Sequence, residues 1–194
     1  MFKHYLITRF NLKKEGWDTS KNNIPVLTEE WLERRFKLFE SFCFPSVKHQ
    51  SNQNFTWLVY FDVDTPKTFK DRILGLSLGY PKFQPRFVEN MQAFVPAIQE
   101  ELSKVTAEYL ITSRIDNDDC IAYNFIADIQ KRFVKKNHWA FDYADGFTLQ
   151  ISPKFRLGKK RQLWNPFISL IEKNEQPKSV WQKGHADWKL DPLV

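Results

Sequence analysis

Apolar and polar positions change their rhythm several times along this chain, and each rhythm predicts an element. His4 to Phe10 is β-branched and aromatic and predicts a strand. Lys13 to Leu27 is polar, holds Gly16 and Pro25, and predicts a loop. Thr28 offers an N-cap, with Glu29 and Glu30 in the first turn, where the helix dipole favours negative charge. Trp31, Leu32, Arg35, Phe36, Phe39 and Cys43 recur at helical spacing, and Pro45 is expected to end that helix. Phe55 to Phe61 is a nearly continuous apolar run of strand length, the pattern of a strand covered on both faces. It ends in Asp62-Val63-Asp64.

Thr65-Pro66 starts a second helix, with Phe69, Ile73 and Leu74 facing inward and Gly79 closing it. Phe83 to Val88 predicts an edge strand, because Pro85 has no ladder donor. Asn90 to Val105 is helical, restarted or kinked at Pro96. Tyr109 to Ile115 is a buried strand, and Ile121, Phe125, Ile129 and Phe133 then step by four as an amphipathic helix. Trp139 to Tyr143 and Phe147 to Ser152 flank Asp145-Gly146 and predict a hairpin. Pro166 to Lys173 predicts a last helix, followed by a polar tail with Trp181 and Trp188 around Gly184-His185.

Strand and helix alternate through the first two thirds of the chain, so the expected fold class is α/β with a mostly parallel sheet flanked by helices, then a C-terminal hairpin and tail. Ligands of such sheets bind beyond the carboxyl ends of the strands. Three polar segments sit at those ends: Arg9-Phe10-Asn11, Asp62-Val63-Asp64 and Asp116 to Asp119.

Composition narrows the classes. A chain of 194 residues suits one domain, and 42% hydrophobic residues supply its core. The charge of +6 admits nucleic acid, an acidic membrane surface or a phosphorylated small ligand as partner, or only a basic soluble protein. The basic residues are spread, with tight runs at Lys13-Lys14, Lys135-Lys136 and Lys159-Lys160-Arg161. Cys43 and Cys120 lack CxxC partners, the N-terminus does not read as a signal peptide, and no apolar run is long enough to span a membrane. The expected location is cytoplasmic.

The acidic cluster carries the chemistry. Asp116 and Asp118 form a D-x-D arrangement with Asp119 adjoining, and carboxylates so close repel unless positive charge compensates them. Mg²⁺ and Mn²⁺ take oxygen ligands, often one or two carboxylates completed by substrate phosphates. The plainer reading is an acidic turn at a helix start. An EF-hand is disfavoured, since its glycine and glutamate are missing. Arg114 shares a strand face with Asp116 and could pair with a carboxylate or reach a phosphate; Arg9 has a similar claim at the first strand's end.

The segments TRFNL (8–12), WLERRFKLFESFCFPSVKHQ (31–50), FTWLVYFDVDTP (55–66), SRIDNDD (113–119) and VWQKGHADW (180–188) resemble the family of putative rhamnosyltransferases, which are similar to glycosyltransferases of the GT-A fold. The resemblance implies a single GT-A-like (Rossmann-like) domain over 1–194, with a nucleotide-sugar-binding half at 1–120 and an acceptor-side half at 121–194. It implies a nucleotide-diphosphate sugar donor, a saccharide or other hydroxyl acceptor, and a Mn²⁺ or Mg²⁺ ion. On this reading Asp118 is the principal metal ligand, Asp116 faces the metal and the ribose, and His185 is a late metal or diphosphate ligand. Asp119 assists Asp116 and Asp118. Arg9, Asp62, Asp64, Arg114 and Asp116 line the nucleotide pocket. Asp145, Glu172 and Asp187 are the candidates for the catalytic base, and Trp139, Trp164, Trp181 and Trp188 for stacking on an acceptor sugar. Rhamnose itself rests on the family's name alone. The competing classes are a nucleic-acid-binding module, disfavoured by the acidic cluster, a nucleotidyltransferase, which lacks its glycine-rich loop here, and an inactive donor-binding relative.

Overall fold

The computed structural model describes residues 1–20 and 23–191. Its main sheet has six strands in the order β3-β2-β1-β4-β8-β5. They are β1 (Phe2–Arg9), β2 (Thr56–Asp62), β3 (Phe83–Val88), β4 (Tyr109–Arg114), β5 (Trp139–Phe141) and β8 (Ser169–Lys173). β1 runs parallel to both β2 and β4, and β2 to β3, whereas β8 is antiparallel to β4 and β5. A separate two-stranded ribbon joins β6 (Asp145–Gln150) to β7 (Arg156–Arg161). The fold is α/β with a mostly parallel sheet, and β3, with Pro85, is one edge strand and β5 the other.

Strand alternation splits the core in two. Leu6, Trp57, Val59, Phe61, Tyr109 and Ile111 point to one face. Tyr5, Ile7, Leu58, Tyr60, Leu110 and Leu170 point to the other. The first face is covered by α1 (Glu29–Leu38), α2 (Phe44–Lys48), α3 (Lys67–Gly79) and α5 (Phe125–Lys131). The second is covered by α4 (Met91–Ser103) and the C-terminal segment, whose Val180, Trp181 and Trp188 are buried. Because both faces are covered, β2 is buried at every position, which explains its unbroken apolar run.

α1 starts where Thr28 Oγ1 accepts from the Trp31 N–H at 3.2 Å. Removing that acceptor by Thr28→Ala should lower stability by about 1 kcal/mol, read as a lower urea midpoint with an unchanged m-value. Pro45 does not end the helix. The helix widens into a π-turn at Phe39–Cys43, where the Phe44 N–H bonds the Phe39 carbonyl, and runs on to Lys48. Pro45 thus falls in the first turn of α2, where its missing N–H is not needed.

Three further expectations are corrected. Pro166–Lys173 is not a helix: Ser169 to Glu172 are all buried, which the two covered faces of β8 satisfy and a single helical stripe would not. Asp145-Gly146 is not a hairpin turn. Asp145 opens β6, which pairs with β7 around a turn at 151–155, while β5 pairs with β8 instead. The helix expected from Ile121 shrinks to α5. Backbone groups of 121–124 bond α2 and its C-terminal end: Gln50 Nε2 donates to the Ala122 carbonyl at 2.7 Å, and the Ser51 N–H donates to the Tyr123 carbonyl at 2.9 Å.

Candidate functional site

Strand order reverses between β1 and β4: β2 and β3 lie to one side of β1, and β4 and β8 to the other. At such a switch point the loops after neighbouring strands diverge and leave a crevice. Here it is a cleft of about 280 Å³. Arg9, Phe10 and Leu12 enter it from the end of β1, and Asp116, Asn117 and Asp118 from the end of β4. Trp31 and Arg35 of α1 close one side, with Lys14, Trp17 and Met91 completing the wall.

Asn117 fastens the two strand ends together. Its buried Nδ2 donates to the Phe10 carbonyl at 2.9 Å and to the Arg9 carbonyl at 3.3 Å. The flanking aspartates are thereby held open to the cleft. Asp118 Oδ2 accepts from Arg35 at 2.5 Å, and the same guanidinium reaches Asn117 Oδ1 at 3.3 Å and lies over the Trp31 ring. Asp116 pairs with Arg114 at 3.5 Å. Part of the positive charge that the cluster needs therefore comes from the chain itself.

Arg114 is buried, and its guanidinium sits 3.9 Å from the Trp181 ring centroid, with Arg9 against the same ring at 5.5 Å. Burial pushes the Arg114 pKa down; Asp116 opposes this and the charge of Arg9 adds to it. Among the described residues its Nε has no hydrogen-bond partner. Asp119 carries the opposite deficit. Burial, then the charges of Asp116 and Asp118, push its carboxyl up to about 7, against the weaker pull of Arg114 and Arg35. The charges of Asp116 and Asp118 thus still raise Asp119 with Arg114 and Arg35 beside them, and a hard cation held by carboxylate oxygens would offset that repulsion. Among the described residues no three His, Cys, Asp or Glu side chains form a ready-made cage, so such a cation would need oxygens from another source.

The other candidates lie elsewhere. Asp62 is buried and accepts the N–H of Lys13 at 3.1 Å and of Asp64 at 2.9 Å, which ties the loop after β1 to the loop after β2. Asp64 is exposed and paired with Lys13. Neither lines the cleft. His185 Nδ1 donates to the Trp164 carbonyl at 2.6 Å and is also outside the lining. Glu172 is buried on β8, with both carboxylate oxygens taken by the N–H groups of Lys178 and Ser179 at 2.9 Å. Asp187 sits exposed on a short 3-10 helix at His185–Leu190. Asp145 is exposed, pairs with Arg161, and borders a second cavity of about 300 Å³ walled by Trp139, Phe141 and Tyr143. Trp181 and Trp188 are core residues.

Arg35, Asn117, Trp17 and Trp31 belong to the cleft without having been singled out for it. Only Arg35 left a signal in the sequence, as a charge on the otherwise apolar stripe of α1.

A family model described as "Putative rhamnosyl transferase" matches residues 3–191. No curated protein matches the chain. Among solved structures, S. aureus TarS 1-349 is 12% identical, with 89% of this chain on 47% of that one and a TM-score of 0.47. The same TarS fragment in complex with UDP-GlcNAc is 13% identical over 89% of this chain and 45% of that one, with a TM-score of 0.45. HddC from Yersinia pseudotuberculosis is 12% identical over 90% and 78%, with a TM-score of 0.44. This chain therefore spans about half the length of the TarS fragment.

Proposed function

The chain belongs to the putative rhamnosyl transferase family, and from that premise we propose that it is a metal-dependent glycosyltransferase, whose cleft between β1 and β4 receives a nucleotide-diphosphate sugar. The observation that carries this reading is the meeting, at the sheet's switch point, of Asp116 and Asp118 with Arg9 and Arg35 in one cleft, with Arg114 buried against Asp116. Arg9, Arg35 and Lys14 are placed to meet a diphosphate, for which planar guanidinium groups are suited. Asp118 and Asp116 would hold a Mg²⁺ or Mn²⁺ ion, which supplies charge to a departing diphosphate. Asp118 would then be shared between Arg35 and the ion. Trp17 and Trp31, edge to face at 6.1 Å, offer ring surface to the nucleoside. The cavity walled by Trp139, Phe141 and Tyr143 suits an acceptor sugar, in the half of the chain after residue 121. The transferred sugar is rhamnose on the strength of the family's name. The free thiols of Cys43 and Cys120 accord with a reducing, cytoplasmic setting.

Thermal unfolding with a panel of nucleoside diphosphates, with and without Mn²⁺ or Mg²⁺, tests the reading. At ligand concentrations about a hundredfold above Kd, stabilisation is about 2.7 kcal/mol, or roughly 5–10 °C for a chain of this size. The shift should appear with at least one diphosphate, require the ion, and vanish in Asp118→Asn. A shift that ignores the ion, or none with any nucleotide, overturns it.

A donor-binding relative without turnover is the second reading. It is favoured by one observation: none of Asp145, Glu172 and Asp187 lines the cleft. Metal-dependent nucleotide binding with no release of the diphosphate from any nucleotide sugar would select it.

A further inference from the structure

The β6–β7 ribbon has no counterpart in the proposed cleft. Every residue of both strands is exposed, and none joins either core cluster. A two-stranded ribbon with nothing packed on it is marginal in water, yet this one carries large apolar side chains. Phe147 and Leu157 are each 68% exposed and Phe155 is 74% exposed, with Leu149 and Ile151 beside them. The register pairs Leu149 with Leu157 near the tip and Phe147 with Lys159 further back. Apolar groups therefore gather toward the turn at 151–155, and Lys159, Lys160 and Arg161 form a collar at the base.

Charge is as lopsided as hydropathy. Residues 145–161 hold five cations, Lys154, Arg156, Lys159, Lys160 and Arg161, against the single carboxylate of Asp145, a net +4 of the chain's +6. Only Arg161 is paired, with Asp145 at 3.3 Å; the other four cations have no ion-pair partner among the described residues. Strand alternation puts Lys159 and Arg161 on one face and Arg156 and Lys160 on the other. A flat protein partner reaches one face of a ribbon. An anionic bilayer reaches both, because an inserted tip is surrounded by headgroups on every side.

We propose that the β6–β7 ribbon docks the protein on an anionic lipid surface. Its tip, with Leu149, Ile151, Phe155 and Leu157, enters the boundary between headgroups and acyl chains. The collar of Lys159 and Lys160 meets lipid phosphates. Lys154 and Arg156 near the tip lay their stems along the apolar layer and return their charges to the headgroups. Six residues of strand span about 20 Å, enough to place the collar at headgroup level while the tip is inserted. This docking does not depend on the reading of the cleft.

Co-sedimentation of the full chain with phosphatidylcholine vesicles, with and without phosphatidylglycerol, tests it. Binding should require the anionic lipid and weaken with salt. Lys159→Glu with Lys160→Glu should reduce partitioning by at least about tenfold, since each basic residue near such a surface adds to the attraction. Phe155→Ser and Leu149→Ser should weaken it separately, by removing apolar area. All of these positions are exposed, and urea midpoints equal to that of the unmodified chain confirm that the variants fold. The proposal is overturned by equal binding to neutral vesicles, by no binding at low salt, or by full binding of the ribbon variants. It is also overturned if sedimentation velocity shows a dimer that the ribbon variants dissolve, because a second copy then covers the ribbon.

Discussion

Lowering the pH from 7 to 4.5 is expected to remove about 3 kcal/mol of stability through His4 alone. His4 is buried on β1, its Nε2 donating to Ser113 Oγ at 2.9 Å and its Nδ1 accepting from Gln130 Nε2 at 3.2 Å. Ser113 in turn meets Ser169 Oγ at 2.7 Å, so the ring is a neutral link in a chain of hydrogen bonds across β1, β4 and β8. Burial lowers its pKa from 6.5 to about 3. The unfolded chain therefore takes up a proton below pH 6.5 that the folded chain refuses. Stability from this group is complete above pH 6.5 and falls as pH drops toward 3, by roughly 5 kcal/mol in all. Urea unfolding at pH 7 and 4.5 measures the loss. His4→Gln keeps a polar side chain without the titration, and should lose about 3 kcal/mol less over the same interval. Equal losses in both proteins would show that His4 is not the source. Asp119 runs the other way. Its pKa is raised to about 7, so its contribution is largest at low pH and is lost as pH rises from 3.8 through 7. The comparison between the two proteins isolates His4 from it.

The second large effect is expected at Glu172. Among the described residues, its buried carboxylate is the acceptor for the N–H groups of Lys178 and Ser179. Those two residues set the direction of the chain just before Val180, whose N–H bonds Thr112 Oγ1 at 2.9 Å, and before Trp181, on which Arg114 rests. Glu172→Ala strands the buried N–H of Ser179 and the partly buried N–H of Lys178 and should cost about 2–3 kcal/mol. Glu172→Gln keeps one acceptor oxygen and should recover about half of that. Because the Trp181 ring supports Arg9 and Arg114, Glu172→Ala should also weaken nucleotide binding at temperatures where the variant is still folded, with Glu172→Gln intermediate. The order Ala, Gln, wild type in both denaturation and nucleotide affinity identifies Glu172 as a brace. Full stability with lost turnover in Glu172→Gln would instead mark it as the base.

The parts of the fold legible in the sequence were those governed by neighbours along the chain. The two-sided apolar run of β2 announced a sheet covered on both faces, Pro85 marked the edge, and Thr28 marked a helix start. The acidic turn stood out because it followed a buried strand, and the cleft lies there. What could not be read depends on partners distant in sequence. The run from Phe167 to Lys173 has a length that suits helix or strand, and only the open edge of β4 decides for β8. Lys159-Lys160-Arg161 reads in the sequence only as a tight basic run, and pairing with β6 makes it part of a strand. Pro45 stays within a helix because the π-turn at Phe39–Cys43 directly precedes α2, and no local pattern signals that turn. In the cleft, Arg35 meets Asp118 across 83 positions. No spacing rule reaches that far.

The C-terminal segment packed on the second face of the sheet has a consequence for biosynthesis. Trp181 Nε1 donates to the carbonyl of Ile7, so during synthesis a residue of β1 waits for one 174 positions later. β8 likewise arrives about 55 residues after β4, whose outer edge has no partner until then. At translation rates of about 5–20 residues per second, that edge stays open for several seconds in every nascent chain. Slow translation between β4 and β8 is therefore expected to lengthen the time in which that edge is open to mispairing.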